Sequence, residues 1–270
     1  MLSKALYSWI AFPVYAWQGI SVRLRIERLL PADLPQEGCF NGMGEEIRLL
    51  VAGDSSVASV GMSRLDETLT WNLARALNDR TGRPVRWRAA GANSATSGDL
   101  RDHVLPHVER RDFTHVVLAV GTNDMKNFHV IRRFKRHFGT LLYAARTRFP
   151  DARIVWSPIA DMTRVPALPH SLGKILQMRA ELINAMGTRL CRERGAVMAD
   201  PVPIEGPHEF ARDGFHAGPA GYRNWAEHLA GALLSDLPRP GRPGLHLQRR
   251  DQHDYEEARE RQFPEVAASP

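Results

Sequence analysis

Cysteine is scarce in this chain of 270 residues, and the two present, Cys39 and Cys191, lie far apart in the sequence. Such a pair indicates neither a disulfide framework nor a zinc site, and it favours a reducing compartment. The zinc-finger, P-loop and GxGxxG patterns are missing, and no internal repeat is found. The sequence therefore carries no motif of a zinc-finger, P-loop or dinucleotide-binding protein.

Positive charge is in modest excess, with a formal net charge of +6. This excess permits contact with anionic membranes or nucleic acid but does not require it. Part of it lies on or beside one predicted helix, at Lys126, Arg132, Arg133, Lys135, Arg136, Arg146 and Arg148. Such a run is usually a solvated face, and without interleaved aromatic residues it predicts no nucleic-acid partner. A basic patch that faces a membrane remains an alternative.

From residue 47 onwards, short apolar segments alternate with longer segments of helical periodicity. We predict strands over residues 47–52, 85–90, 115–120, 153–157 and 195–199, and helices over residues 66–80, 98–110, 128–148, 173–194 and 219–235. Strands separated by helices of this length require right-handed crossovers, which give a parallel sheet covered on both faces. The pattern predicts an α/β fold, a three-layer α/β/α sandwich with a five-stranded, mainly parallel sheet.

Residues 1–30 form an apolar N-terminal segment. Its core, residues 5–22, is rich in aromatic side chains and is followed by Arg23, Arg25 and Arg28. Four interpretations stay open: a bilayer-spanning segment, a signal peptide, a helix on the membrane surface, and a helix packed on the domain. Because the basic cluster follows the apolar run, membrane insertion would leave the rest of the chain in the cytoplasm. We expect a cytoplasmic protein with peripheral contact to the inner face of the membrane.

The remaining segments divide the chain further. Residues 31–46 contain proline and glycine with little periodicity, which predicts a linker. Residues 47–236 hold the alternating pattern and form the predicted domain. Residues 237–270 are rich in proline, glycine and arginine and poor in apolar residues, which predicts a disordered tail.

A short apolar run ends in a polar turn near the start of the domain. Residues 49–52 are apolar and lead directly into Gly53, Asp54 and Ser55. Such a run, bounded by glycine, is typical of a buried parallel strand and places Ser55 at its carboxyl end. Ligands bind at this edge of open α/β sheets, so Ser55 is a candidate nucleophile. The tripeptide alone is more typical of a turn or a helix cap.

Three further segments carry the other groups that a hydrolase site needs. Asn123 follows the third predicted strand, where its amide can donate to an oxyanion. Asp213 precedes His216 by three residues and can hold the imidazole in the tautomer that takes a proton from Ser55. Residues 91–96 are mostly small and offer backbone N–H groups to a ligand. Each segment alone is often a turn, but all would meet at one sheet edge, which predicts a hydrolase site.

These segments resemble the GDSL/SGNH hydrolase family of esterases, lipases and thioesterases. Blocks I, III and V of that family are matched by Gly53-Asp54-Ser55, Gly121-x-Asn123-Asp124 and Asp213-x-x-His216. The resemblance covers residues 47–236 and implies a flavodoxin-like SGNH hydrolase fold. The G-x-S-x-G elbow of α/β-hydrolases is absent because Val57 occupies the position of its last glycine.

The resemblance also implies roles for the matched residues. Ser55 is expected to be the nucleophile, His216 the base and Asp213 the acid that orients the base. The oxyanion hole is expected to combine the Ser55 N–H, the Asn123 side chain and a backbone N–H of block II. In that block the family usually has glycine where this chain has Ser94, and Gly91 is the alternative donor.

The sequence predicts a serine esterase that hydrolyses short to medium acyl esters through an acyl-enzyme. No cofactor and no metal are expected, and the partner is a small ester, which the apolar N-terminus suggests is lipid-derived. A thioesterase, an acyltransferase and a non-catalytic, membrane-tethered binding protein are the alternatives. We interpret Asp54 and Asp124 as structural, and we expect Met125 and Phe215 to line an acyl pocket or to pack in the core.

Overall fold

A single mixed sheet organises the structure, a computed structural model that describes residues 10, 12–109 and 112–235. The strands are β1 (Glu37–Phe40), β2 (Ile47–Gly53), β3 (Val85–Gly91), β4 (His115–Ala119), β5 (Arg153–Ser157) and β6 (Val197–Met198). Their order is β1-β3-β2-β4-β5-β6, and all neighbours are parallel except β1 and β3. The mainly parallel sheet is confirmed, with six strands instead of the predicted five. The tail predicted over residues 237–270 lies outside the described residues.

The additional strand lies in the segment that was predicted to be a linker. β1 pairs antiparallel with β3, from Glu37 opposite Arg88 to Phe40 opposite Val85. Its residues alternate between exposed and half-buried, as expected of a short edge strand with one face on the core. The linker prediction for residues 31–46 is therefore wrong over these four residues, which extend the sheet.

Helices cover both faces of the sheet. They are α1 (Phe12–Arg25), α2 (Leu69–Thr81), α3 (Ser97–Asp99), α4 (Thr122–Lys126), α5 (Ile131–Arg148), α6 (His170–Glu193) and α7 (Pro219–Leu234). The strand β2 shows why three layers form, because consecutive side chains point to opposite faces. Leu50 and Ala52 pack in one apolar core with α5 and α6, whereas Leu49 and Val51 pack in a second core with α2 and α7. The predicted three-layer α/β/α sandwich is confirmed.

Two predicted helices are shorter or less regular than expected. Thr68 caps α2 by accepting a hydrogen bond from the Trp71 amide, so residues 65–67 form a separate 3₁₀ turn. The segment predicted as one helix over residues 98–110 becomes α3, a π-helical turn (Leu100–Val104) and a 3₁₀ turn (Leu105–His107). Pro106 lacks the amide N–H that a continuing helix needs, which ends the regular pattern there.

The helix α1 packs on the domain beside α6. Gln18 exchanges hydrogen bonds of 2.8 and 2.9 Å with Ser171, and the ring of Tyr15 lies 4.1 Å from that of Phe128. Among the helices that the structure describes, none combines the length and the apolar character needed to cross a bilayer. The start of the predicted apolar segment, residues 1–9, lies outside the described residues.

Candidate active site

The turn after β2 places Ser55 at the carboxyl edge of the sheet. A Cβ atom on Gly53 would lie 2.4 Å from the carbonyl oxygen of Ala119, so only glycine fits where β2 passes β4. The Asp54 amide donates to the same oxygen at 3.1 Å, and the Asp54 carbonyl accepts from Val57 and Ala58. The backbone therefore leaves the sheet in a tight turn that begins at Ser55, which is partly exposed.

The carboxylate of Asp54 holds this turn from the inside. Its Oδ1 accepts hydrogen bonds from the amide of Ser56 at 3.1 Å and from the Ser56 hydroxyl at 3.0 Å. Burial raises the pKa of Asp54, while these bonds and the positive charges of Lys126 and His216 oppose the rise. The structural role predicted for Asp54 is therefore confirmed, and its electrostatic partners come from two other turns of the site.

Asp213 and His216 form a direct pair before α7. The Oδ2 atom of Asp213 lies 2.6 Å from Nδ1 of His216, and Oδ1 accepts from the amides of Phe215 and His216 at 2.9 and 3.0 Å. Burial raises the pKa of Asp213, but these hydrogen bonds outweigh it and lower the pKa overall. Gly214 has a φ of 66°, which lets the chain turn back so that the two side chains meet.

Asn123 connects the turns after β2, β3 and β4. Its Nδ2 donates to the Ala95 carbonyl at 3.0 Å and lies 3.4 Å from Oδ2 of Asp54. The neighbouring Asp124 accepts from the amide and the hydroxyl of Ser97 at 2.8 and 2.9 Å, which confirms its predicted structural role. The amide of Asn123 is consequently fixed at the sheet edge, next to the turn that contains Ser55.

Ser94 and Gly91, the two candidates for a backbone donor, have different surroundings. Ser94 is exposed and has a φ of 64°, the left-handed conformation that favours glycine. Gly91 pairs with Gly53 in the sheet, and a Cβ atom there would lie 2.2 Å from the amide nitrogen of Ala58. Gly91 is therefore needed for close packing against the turn that contains Ser55 and Ala58. Ser94 lies in the exposed turn after β3.

A cavity of about 130 Å³ opens beside these residues. Asp54, Thr122 and Phe215, each adjacent in sequence to a candidate site residue, line one side. The other walls are mainly apolar, and they include Val120, Ile159, Met162, Val165, Ile204 and Trp225. Phe215 lines this cavity and also packs against the apolar core. Met125 is fully buried in the core and is not among the lining residues.

Of the three residues predicted for the triad, two are in direct contact. Asp213 bonds His216 directly, while no hydrogen bond joins the Ser55 hydroxyl to His216 in the part of the chain that the structure describes. Tyr222 is fully buried in the second apolar core, near both Asp54 and Asp213. Its pKa is raised by burial and further by the negative charges of both Asp54 and Asp213. Catalytic hydrogen bonds are often long before substrate binds, so this geometry is compatible with a serine–histidine pair.

Two features of the site were not predicted from the sequence. The ammonium group of Lys126 lies 5.6 Å from the ring centroid of Phe215, and burial lowers the pKa of this lysine while the charge of Asp54 opposes the decrease. Trp225 donates from Nε1 to the hydroxyl of Ser157 at 2.8 Å, on the cavity wall. Ser157 is the last residue of β5, so the rule that ligands bind at carboxyl strand ends would have indicated it.

A mainly parallel α/β sheet that carries a partly exposed turn serine and an aspartate-bound histidine at one edge has the parts of a serine hydrolase. The sequence profile of the GDSL-like lipase/acylhydrolase family matches residues 51–224. The GDSL-like esterase Rv1075c of Mycobacterium tuberculosis is 25% identical over 223 residues, which cover 74% of this chain and 68% of that protein. The chain therefore belongs to the GDSL-like lipase/acylhydrolase family and is an SGNH-type hydrolase that acts on esters.

Solved structures share this fold at low sequence identity. TesA superposes with a TM-score of 0.57 and 20% identity, over 69% of this chain and 98% of that one. LAE5, an alpha/beta hydrolase enzyme from the metagenome of Lake Arreo, gives a TM-score of 0.54 and 17% identity, over 73% and 99% of the chains. A lipase/acylhydrolase from Enterococcus faecalis gives a TM-score of 0.51 and 18% identity, over 69% of this chain and 94% of that one. At these identities the likeness concerns the fold alone.

Proposed function

We propose that the protein is a serine esterase in which Ser55 is the nucleophile, His216 the general base and Asp213 the residue that orients the base. The observation that carries this proposal is the 2.6 Å contact between Asp213 Oδ2 and His216 Nδ1. In the neutral imidazole, a proton on Nδ1 that is donated to the carboxylate leaves Nε2 of the same ring without one. Nε2 is therefore the atom that can accept the hydroxyl proton of a serine.

The reaction then proceeds in two half-reactions. Ser55 transfers its proton to His216 Nε2 as its oxygen bonds to the acyl carbon of the ester. His216 returns the proton to the alcohol oxygen as the ester C–O bond breaks, and this leaves the acyl group on Ser55. A water molecule, deprotonated by His216, then attacks the acyl carbon, and the proton goes back to Ser55 as the acid leaves. Asp213 stabilises the charged imidazole in both steps.

The oxyanion formed in each half-reaction requires donors in fixed positions. We assign these donors to the Ser55 amide, the Ser94 amide and the Nδ2 group of Asn123. One N–H of Asn123 is held by Ala95 at 3.0 Å, whereas the contact with Asp54 is long, at 3.4 Å, and a substrate oxygen can replace it. Ser94 is preferred over Gly91 because Gly91 lies within the sheet, packed against Ala58.

The cavity supports short to medium acyl groups as substrates. Its volume of about 130 Å³ and its mainly apolar walls suit a small hydrocarbon group. An apolar cavity of about 150 Å³ in another protein holds benzene, which sets the scale. We place the acyl chain between Phe215 and Trp225, and the leaving alcohol toward solvent.

The test is hydrolysis of p-nitrophenyl esters in a series from acetate to palmitate, with wild type beside Ser55→Ala. We expect the variant to lose about a thousandfold or more in kcat and wild type to prefer the shorter esters. Ser63→Ala is the matched control, because Ser63 is exposed and lies outside the cavity. Equal activity of wild type and Ser55→Ala would show that Ser55 is not the nucleophile.

A further inference from the structure

The helix α1 exposes large apolar side chains along one face. Trp17 is 77% exposed and Leu24 81%, and Ile20 is exposed as well. These residues follow one another at intervals of three and four residues, which places them on a single side of the helix. Isolated exposed apolar residues are ordinary on a protein surface, but a continuous stripe of them marks an interaction site.

The opposite face of α1 already holds the helix on the domain. The Tyr15 hydroxyl donates to the backbone carbonyl of Lys126, Gln18 bonds Ser171, and Val22 packs against the core that contains α5 and α6. The exposed stripe is therefore not needed to attach α1 to the domain. These contacts fix the direction in which the stripe faces, away from the protein.

The charges around the stripe indicate what kind of surface it fits. Arg23, Arg25 and Arg28 are exposed at the carboxyl end of α1, and the helix itself contains no acidic residue. The nearest acid, Glu27, is paired with Arg212 at 2.9 Å. A second copy of this helix would bring the same positive charge, whereas anionic phospholipid headgroups neutralise it. Tryptophan beside arginine is typical of helices that lie in a membrane interface.

The inner face of α1 lies next to the candidate active site. Tyr15 bonds the backbone of Lys126, and the ammonium group of Lys126 lies over the ring of Phe215, the neighbour of His216 in sequence. α1 is therefore connected through Lys126 to Phe215, which lines the cavity.

We propose that the exposed face of α1 docks the protein on membranes that contain anionic phospholipid, with Trp17, Ile20 and Leu24 inserted among the headgroups. The helix would lie along the interface, which agrees with the contacts of Tyr15, Gln18 and Val22 that hold its other face on the domain. Docking would hold the site at the source of lipid-derived esters, and this last point rests on the proposed esterase function. The docking itself does not depend on it.

Co-sedimentation of the full chain with vesicles tests the proposal. We expect wild type to bind vesicles of phosphatidylglycerol mixed with phosphatidylcholine, and to bind phosphatidylcholine alone weakly. Combined replacement of Trp17, Ile20 and Leu24 by serine should weaken binding by about tenfold or more, because the buried apolar area is lost. Met43→Ser is the matched control, since Met43 is 87% exposed but lies on the turn between β1 and β2.

The outcomes separate docking from catalysis and from self-association. Wild type that stays in the supernatant with anionic vesicles, or a triple variant that binds as well as wild type, would overturn the proposal. The proposal would also be overturned if wild type forms a dimer, the triple variant stays monomeric, and neither protein binds vesicles. Ser55→Ala should bind vesicles like wild type, and the triple variant should hydrolyse p-nitrophenyl acetate at the wild-type rate. A Ser55→Ala variant that binds normally and still hydrolyses esters would contradict the esterase mechanism alone.

Discussion

The amide nitrogen of Asn123 lies 3.4 Å from the carboxylate of Asp54, although the two residues are 69 positions apart in the sequence. This contact joins the turn that carries Ser55 to the turn after β4. The shorter bond from Asn123 to the Ala95 carbonyl, at 3.0 Å, adds the turn after β3. The bond to Ala95 fixes the amide before substrate arrives, so only the long contact with Asp54 has to give way to an oxyanion.

Replacement of Asn123 by alanine should therefore slow the chemical step. We expect kcat for p-nitrophenyl acetate to fall about a hundredfold to a thousandfold, with a much smaller change in KM, because the lost bond is made mainly to the transition state. Asn127→Ala is the control, since Asn127 is exposed at the end of α4. A variant that changes KM alone would place Asn123 in ground-state binding instead.

Replacement of Asp213 by asparagine should affect the base through its tautomer. Without a carboxylate at Nδ1, His216 no longer presents an unprotonated Nε2 to Ser55, and kcat should fall by about 10⁴. Steady-state kinetics at neutral pH measures this loss. The exposed Asp33 provides the control as Asp33→Asn, which should retain wild-type kcat. If Asp213→Asn keeps most of the activity, a different residue orients the base.

The lowered pKa of Asp213 also predicts a dependence of stability on pH. Burial raises this pKa, but the hydrogen bonds from His216 and Phe215 lower it overall, so the folded protein favours the charged carboxylate. A depressed folded pKa adds stability above the unfolded value of about 4, and this stability is lost as the pH falls through the folded pKa. In urea unfolding, the stability advantage of wild type over Asp213→Asn should stay constant down to about pH 5 and shrink as the pH falls further toward about pH 2. A stability advantage of wild type that grows as the pH falls would contradict this prediction.

Substitution of Gly91 should lower the free energy of unfolding, whereas substitution of Ser94 by glycine should raise it. Gly91→Ala places a Cβ atom 2.2 Å from the Ala58 amide and should lower the free energy of unfolding by about 1–3 kcal/mol. Ser94→Gly relieves the strain of a left-handed φ of 64° and should raise the free energy of unfolding by up to about 1 kcal/mol. Activity should be retained because the backbone N–H remains. Urea unfolding and ester hydrolysis measure both effects. Loss of activity in a stable Ser94→Gly variant would show that the serine side chain itself is needed.

The central strands were predictable because their signals are local. Residues 153–157 were predicted as a strand and form β5 with the same bounds. β2, β3 and β4 begin at the predicted residues and end one residue away from the predicted ends. β2, β4 and β5 are mainly apolar runs buried on both faces, which the sequence displays directly, whereas β3 alternates and exposes Arg86. β1 was missed since its four residues include Gly38 and alternate between exposed and half-buried positions, and a short edge strand gives little apolar signal.

The site was predictable in its residues but not in its three-dimensional detail. Asp213 and His216 are three positions apart, so their contact follows from the local chain. The approach of Lys126 to Phe215 depends on how α4 and the turn before α7 pack, and no sequence pattern contains that distance. The orientation of α1 is a similar case. Its apolar character was evident, but which face stays exposed is decided by contacts with Lys126 and Ser171.

The most direct test of Ser55 as the nucleophile is reaction of the full chain with a fluorophosphonate probe, followed by mass spectrometry of the digested protein. The probe phosphonylates an activated serine oxygen with loss of fluoride. We expect one adduct in wild type, on Ser55, none in Ser55→Ala, and much slower labelling in His216→Ala. An adduct on another residue, or equal labelling of wild type and Ser55→Ala, would contradict the assignment of Ser55 as the nucleophile.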